Sequence, residues 1–167
     1  PTRRSSDLVA PGARLSDVAL SVRSDGFDSE TRSGPLSGTA TIGAVALDNA
    51  TAAPLVAGEV RAAFNAALTP ETLTVESGSL KSDALDGQFD GSVLLGDGAL
   101  AFNLRTDVAS AALPSAARPV LGDTLKLSAA IARNAEGAIS ASSIKATSGP
   151  LAAEGSARLA GESIEAD

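Results

Sequence analysis

The stretch LDGQFDGSVLL, residues 85–95, decides the fold of this chain. Its odd-numbered residues are apolar or glycine, and its even-numbered residues are polar except for Leu94. A period of two is typical of a β-strand that buries one of its faces. Residues 17–23, 100–105 and 125–132 alternate in the same way, so the sequence predicts several such strands.

Short glycine-containing turns separate these alternating stretches, for example at residues 24–26, 96–98 and 134–137. Such turns are typical of antiparallel hairpins, and the helical spacers that a parallel sheet needs are absent from the pattern. Two proline-containing stretches, residues 50–57 and 109–121, interrupt the alternation. We expect them to form single helical turns or loops that cap one end of the sheet, because proline is tolerated only in a first turn.

An internal repeat of 64–65 residues supports one continuous, repeated sheet. Ser79-Leu80-Lys81 is similar to Ser143-Ile144-Lys145, and Asp90-Gly91-Ser92 is similar to Glu154-Gly155-Ser156. A repeat of this kind indicates stacked copies of one supersecondary unit. We therefore predict a partial β repeat at residues 1–50, a β repeat at 51–115 and another at 116–167. The lack of a starting methionine leads us to expect that the chain is an excerpt of a longer protein.

Composition restricts the chemistry open to the chain. It contains no Cys, His, Met, Trp or Tyr, and its net charge is −7. Without His or Cys, a Ser-His-Asp triad, a thiolate nucleophile and a typical zinc site are excluded. The acidic balance disfavours binding to nucleic acid, which needs clustered cations. We expect no enzyme activity, no catalytic residue, no metal and no cofactor.

The spacing of the aspartates disfavours a catalytic carboxylate pair. Asp86 and Asp90 share the polar face of one predicted strand, and four residues of strand separate them by about 13 Å. That separation is too large for the two carboxylates of a glycosidase on one strand. A solvated outer face explains these aspartates.

The apolar stripes admit two interpretations: a closed core between two sheets, or a groove that holds acyl chains. Few aromatic residues are present to fill the centre of a sandwich, and small Ala side chains leave space. The residues expected to line such a lipid groove are Val18, Leu20, Val22, Phe89, Val93, Leu95, Leu100, Phe102, Leu104, Leu125, Leu127 and Ile131.

Two strand-and-turn motifs, DGSVLLG at residues 90–96 and EGSARLAG at residues 154–161, alternate with proline caps such as ALPSAARP at residues 112–119. In this style the sequence resembles the periplasmic region of the TamB and AsmA-like family, whose TamB members belong to the translocation and assembly module. The resemblance covers nearly the whole chain. It implies a curled, repeated antiparallel sheet with an apolar concave face, a β-groove or β-taco.

The resemblance also implies a function and a location. Members of that family are inner-membrane-anchored proteins of the periplasm, linked to phospholipid transport between inner and outer membrane and to outer membrane biogenesis. Expected partners are phospholipid acyl chains and an outer-membrane β-barrel partner of the assembly module. The sequence prediction is therefore an all-β envelope protein with a lipid groove. The alternative is a structural or adhesive β-solenoid, such as an autotransporter passenger segment.

Overall fold

A computed structural model describes residues 4–10, 13–48, 53–116, 118–119, 121–160 and 163–166. Within these ranges eleven strands form one antiparallel sheet, in which every strand lies beside its neighbours in sequence. The strands are β1 (Arg4–Ala10), β2 (Ala13–Arg23), β3 (Gly34–Leu47), β4 (Val60–Leu68), β5 (Thr72–Lys81), β6 (Leu85–Leu94), β7 (Leu100–Ala109), β8 (Thr124–Arg133), β9 (Ile139–Ser148), β10 (Leu151–Ala160) and β11 (Ser163–Ala166).

The all-β, antiparallel prediction is confirmed. The four alternating stretches of the sequence fall in β2, β6, β7 and β8, and helix is limited to two short turns. The sheet is open, because β1 and β11 lie at its two ends rather than beside each other, and it is not curled. The groove that the sequence led us to expect is therefore not seen in this structure.

The connections between strands lie along two opposite sides of the sheet, where the strands begin and end, and these two sides differ. The 3-10 turn η1 (Ala53–Val56) joins β3 to β4, and the 3-10 turn η2 (Ser110–Ala112) joins β7 to β8. Both lie on one side, here called the helical edge. The opposite side, the hairpin edge, carries the turns β2–β3, β4–β5, β6–β7 and β8–β9.

The 3-10 turns η1 and η2 match the short caps that the two proline-containing stretches predict. Of the two proline-containing stretches, residues 50–52, 117 and 120 lie outside the described residues. Neither helical turn, nor any other helix in the described ranges, is long and apolar enough to span a membrane.

Three irregularities bend the strands. β5 has one extra residue between Val75 and Gly78 relative to both of its neighbours. β9 is irregular near Ser143, whose φ is 52°, and β2 contains Asp17 with a φ of 55°. Bulges of this kind increase the local twist of a strand and change its direction.

The sheet forms a single layer with almost no core. Only four apolar residues of the described chain are buried, Val60, Ala66, Val75 and Val108. The accessible surface is 10821 Å², whereas a compact monomer of this mass exposes about 7,500 Å². The apolar residues therefore mark a face that the described chain does not cover.

Two kinds of contact occur twice along the sheet, and only one residue pair among them, Lys81 and Lys145, has the spacing of the repeat. The Ser82 Oγ donates to the carbonyl oxygen of Leu55 at 2.8 Å, and the Ser148 Oγ donates to that of Thr124 at 2.8 Å. Lys81 and Lys145 each form a 3.0 Å ion pair with a carboxylate on the following strand. The division at residues 50 and 115 stays a prediction.

Candidate functional site

The pairing of β2–β10 assigns alternate side chains to one face, because residues directly opposite each other in a sheet point to the same side. From Val18 onward this face, here called the apolar face, carries mainly Val, Leu, Ile, Phe, Ala and Gly. Its larger members are Val18, Leu20, Val22, Leu36, Ile42, Val60, Phe64, Leu68, Leu73, Val75, Leu80, Leu85, Phe89, Val93, Leu100, Phe102, Leu104, Val108, Leu125, Leu127, Ile131, Ile139, Ile144 and Leu151.

Eleven of the twelve predicted groove residues lie on this face. Direct pairing joins Phe89 to Leu104 and Val93 to Leu100, and Phe102 to Ile131. The exception is Leu95, which lies in the turn after β6 and is 49% exposed. Its backbone N–H donates to the carbonyl oxygen of Glu71 at 2.8 Å, so it belongs to the hairpin edge and not to a strand.

Three of the phenylalanine rings on the apolar face lie over glycines of the adjacent strand. A Cβ on Gly38 would overlap the ring of Phe64, and one on Gly78 would overlap the ring of Phe89. A Cβ on Gly91 would overlap the backbone oxygen of Ala101 as well as the edge of the Phe102 ring. A ring in this position covers backbone within its own layer, so it needs no second sheet to pack against.

Polar groups are rare on the apolar face. Thr106 and Ser148 are buried, and each donates a hydrogen bond to a backbone carbonyl. The third is Arg133, at the end of β8, which is half-buried. Most large apolar side chains of the face are only half-buried, so the face offers a continuous apolar surface from β2 to β10.

The other face, here called the polar face, carries the charges. Asp86 and Asp107 are directly opposite each other on β6 and β7. Lys81 lies 3.0 Å from Asp86, and Lys126 lies 3.8 Å from Asp107, so a lysine flanks the aspartate pair on each side. All four side chains are more than half exposed, and each ion pair contributes little to stability.

Asp86 and Asp90, which share the polar face of β6, both have partners on adjacent strands. Asp90 accepts a 2.8 Å hydrogen bond from the Asn103 side chain, and Asp86 pairs with Lys81. The described residues contain no group of three or more carboxylates placed to hold a metal ion.

A hollow of about 750 Å³ lies over β2–β7. Its side chains come mostly from the polar face, including Ser21, Thr39, Ser79, Gln88 and Arg105. The sequence led us to expect concavity on the apolar side. In this open sheet the hollow lies instead on the polar side.

Sequence reasoning missed part of the apolar face. β3 contributes Gly34, Leu36, Gly38, Ala40 and Ile42, which alternate with Ser and Thr and become visible only if Gly and Ala count as apolar. The irregularity near Ser143 places Ala141 and Ile144, three positions apart, on the apolar face. A strict period of two would place Ala141 and Ile144 on opposite faces.

No protein-family model, curated protein or solved structure matches the chain. The resemblance to the TamB and AsmA-like family therefore rests on the sequence motifs quoted above.

Proposed function

We propose that this chain is a segment of a periplasmic, envelope-spanning protein whose apolar face carries phospholipid acyl chains between the inner and outer membrane. The observation that carries the proposal is the apolar face itself, which runs without a break from β2 to β10 and which no other layer of the described chain covers. Such a face must be covered by protein or by ligand.

Acyl chains suit this surface physically. Burial of each methylene group contributes about 0.8 kcal/mol and requires no directional contact. The face consists of aliphatic side chains, flat phenyl rings and glycines, so it offers a smooth surface with few hydrogen-bonding groups. We expect weak selectivity for the acyl chain, and neither catalysis nor nucleic-acid binding.

In this proposal the sheet curls around its lipid, with the apolar face inward. The bulge in β5 and the irregularity in β9 are the positions where a strand already changes direction. The family resemblance adds inner-membrane anchoring and an outer-membrane β-barrel partner. The alternative of a β-solenoid is less well supported, because the sheet consists of antiparallel neighbours whereas β-helix repeats stack parallel strands.

The test is a photocrosslinking amino acid placed at Leu127 or at Ser128 in the full-length protein in cells. Leu127 lies on the apolar face, and its chain neighbour Ser128 lies on the polar face. A second matched pair is Phe102 and Gln88. We expect lipid adducts, identified by mass spectrometry, at Leu127 and Phe102. Equal adduct yields on both faces would contradict the proposal.

Charged substitutions test the same face by function. Phe102→Glu and Leu127→Arg place a charge on the apolar surface, where an unpaired charge costs several kcal/mol to bury. We expect them to stop lipid transfer. Gln88→Glu and Ser128→Arg carry the same charges on the polar face and are expected to leave transfer unchanged.

A further inference from the structure

The apolar face has one charged residue. From Val18 to the last described side chain of β10, the pairing assigns Arg133 to that face and no other Arg, Lys, Asp or Glu. Arg133 pairs directly with Leu100 and Ile139, both apolar. Charged side chains are seldom buried beside apolar residues unless they have a partner.

The guanidinium lies between two turns of the hairpin edge. Its Nη1 donates to the carbonyl oxygen of Gly98 at 2.9 Å. Its Nη2 lies 3.7 Å from where a Cβ of Gly137 would be. Gly98 and Gly137 have φ values of 71° and 89°, which favour glycine, and the absent side chains leave room for the guanidinium.

This cation has no acidic partner within the described chain. Ion pairs form at Arg61, Lys81, Lys126 and Lys145, but none forms at Arg133 among the residues that the structure describes. A guanidinium has five N–H donors, of which one is used here. The remaining donors are available to an anion, and Arg matches the oxygens of phosphate well.

The exposure of apolar side chains differs between the helical edge and the hairpin edge. Val60, Val108 and Ser148 are buried near the helical edge, beside η1 and η2. At the hairpin edge Phe27 and Leu95 remain 44% and 49% exposed. Ala66 and Val75, nearer the hairpin edge, are also buried, and Leu151 at the helical edge is exposed. Most exposed large apolar residues of the described chain, including Leu20, Val22 and Ile139, nevertheless lie toward the hairpin edge, where Arg133 lies.

We propose that Arg133 binds the phosphate of a phospholipid headgroup at the hairpin edge while the acyl chains lie on the apolar face. This inference rests on the proposed function and adds an orientation to it: headgroups lie along the hairpin edge and not along the helical edge. The ligand is a phosphodiester that carries acyl chains, since the apolar side chains beside Arg133 would not favour a free ion.

The experiment compares three forms of the full-length protein: wild type, Arg133→Gln and Arg133→Lys. Arg105→Gln is the matched control, because Arg105 is exposed on the polar face and has no ion pair among the described residues. Binding is measured with fluorescent phosphatidylcholine and with diacylglycerol of the same acyl chains, which lacks the phosphate. Thermal unfolding of each variant shows whether the loss of the bond to Gly98 weakens the turn.

We expect Arg133→Gln to weaken phosphatidylcholine binding about tenfold, the effect of one charge-assisted hydrogen bond, and to leave diacylglycerol binding unchanged. Arg133→Lys should retain part of the affinity, and Arg105→Gln should match wild type. Equal losses for both lipids, or no loss, would overturn the headgroup contact. Binding of inorganic phosphate to the lipid-free protein that depends on Arg133 would identify a free-phosphate site instead. If wild type binds neither lipid, the proposed function itself fails.

Discussion

At the scale of single residues, the pairing of phenylalanine with glycine explains how a one-layer sheet protects its backbone. Phe64, Phe89 and Phe102 each cover a glycine on the adjacent strand, and the rings of Phe89 and Phe102 are 6.3 Å apart. In a sandwich, rings of this size fill the space between two sheets. Here they lie along one sheet and leave a smooth surface.

Gly78→Ala tests this arrangement. The added Cβ would overlap the ring of Phe89, which would have to leave its position over β5. We expect the free energy of unfolding to fall by about 1–3 kcal/mol, measured by urea denaturation and circular dichroism. Gly96→Ala is the control, because nothing lies within 4 Å of its added Cβ. Equal effects of the two variants would contradict the packing described here.

Asp28 provides a prediction of pH dependence in the β2–β3 loop. The backbone N–H groups of Glu30, at 2.8 Å, and Thr31 donate to its carboxylate and hold its pKa below the ordinary value of 3.8. Because the pKa of Asp28 is lower in the folded state, ionisation of this carboxyl stabilises the folded loop at pH values above the ordinary pKa. The stabilisation is lost as the pH falls through the lowered pKa. An NMR titration of the Asp28 carboxyl should give a pKa below that of the same residue in unfolded peptide. A value at or above the peptide's would show that these bonds are absent in solution.

The residue scale also shows what sequence could and could not reveal. Leu100, Phe102 and Leu104 were assigned to one face correctly because the strand around them is regular, and strict alternation then fixes the side of every residue. Because Leu94 and Leu95 are both apolar, the alternation does not show where the strand ends. It places Leu95 on the apolar face, whereas the structure places it in the turn after β6. Arg133 was missed because a charge at a strand end looks like part of a turn. Its position on the apolar face follows only from pairing.

At the scale of elements, one buried serine, Ser148, and one half-buried serine, Ser82, hold the connections of the helical edge in place. The Ser148 Oγ donates to the carbonyl oxygen of Thr124 and accepts from the N–H of Gly122, which fixes the chain entering β8. Ser82 acts similarly toward Leu55 in η1. The proline within η1 and the proline that follows η2 make both helical turns predictable, but these serine contacts join residues 24 to 27 positions apart and leave no local pattern.

Ser148→Ala should lower the free energy of unfolding by about 1–3 kcal/mol, because it removes both hydrogen bonds that the buried Ser148 hydroxyl makes, one with the carbonyl oxygen of Thr124 and one with the N–H of Gly122. Ser142→Ala, at an exposed position of the same strand, is the control and should change stability by less than about 0.5 kcal/mol. Both are measured by urea denaturation. Indistinguishable midpoints would mean that Ser148 does not fasten the edge.

At the scale of the whole molecule, one layer of sheet produces an extended particle. Residues 1–167 in solution should show a radius of gyration well above the roughly 15 Å of a compact domain of this length. Small-angle X-ray scattering measures this, and light scattering on the same sample excludes dimers as the cause. A monomer with a radius near the compact value would show that the apolar face folds against other parts of the chain.

The order of the strands has a mechanical consequence. Each of the nine inner strands is held by the strand before it and the strand after it, and in the described sheet no strand bridges distant parts of the sequence. Contacts between near neighbours in sequence form quickly and in any order. A chain that emerges end first from a pore can therefore complete its sheet hairpin by hairpin while the remainder is still threaded. A pull on one end would peel strands away singly, so that damage to one hairpin stays confined to its neighbours.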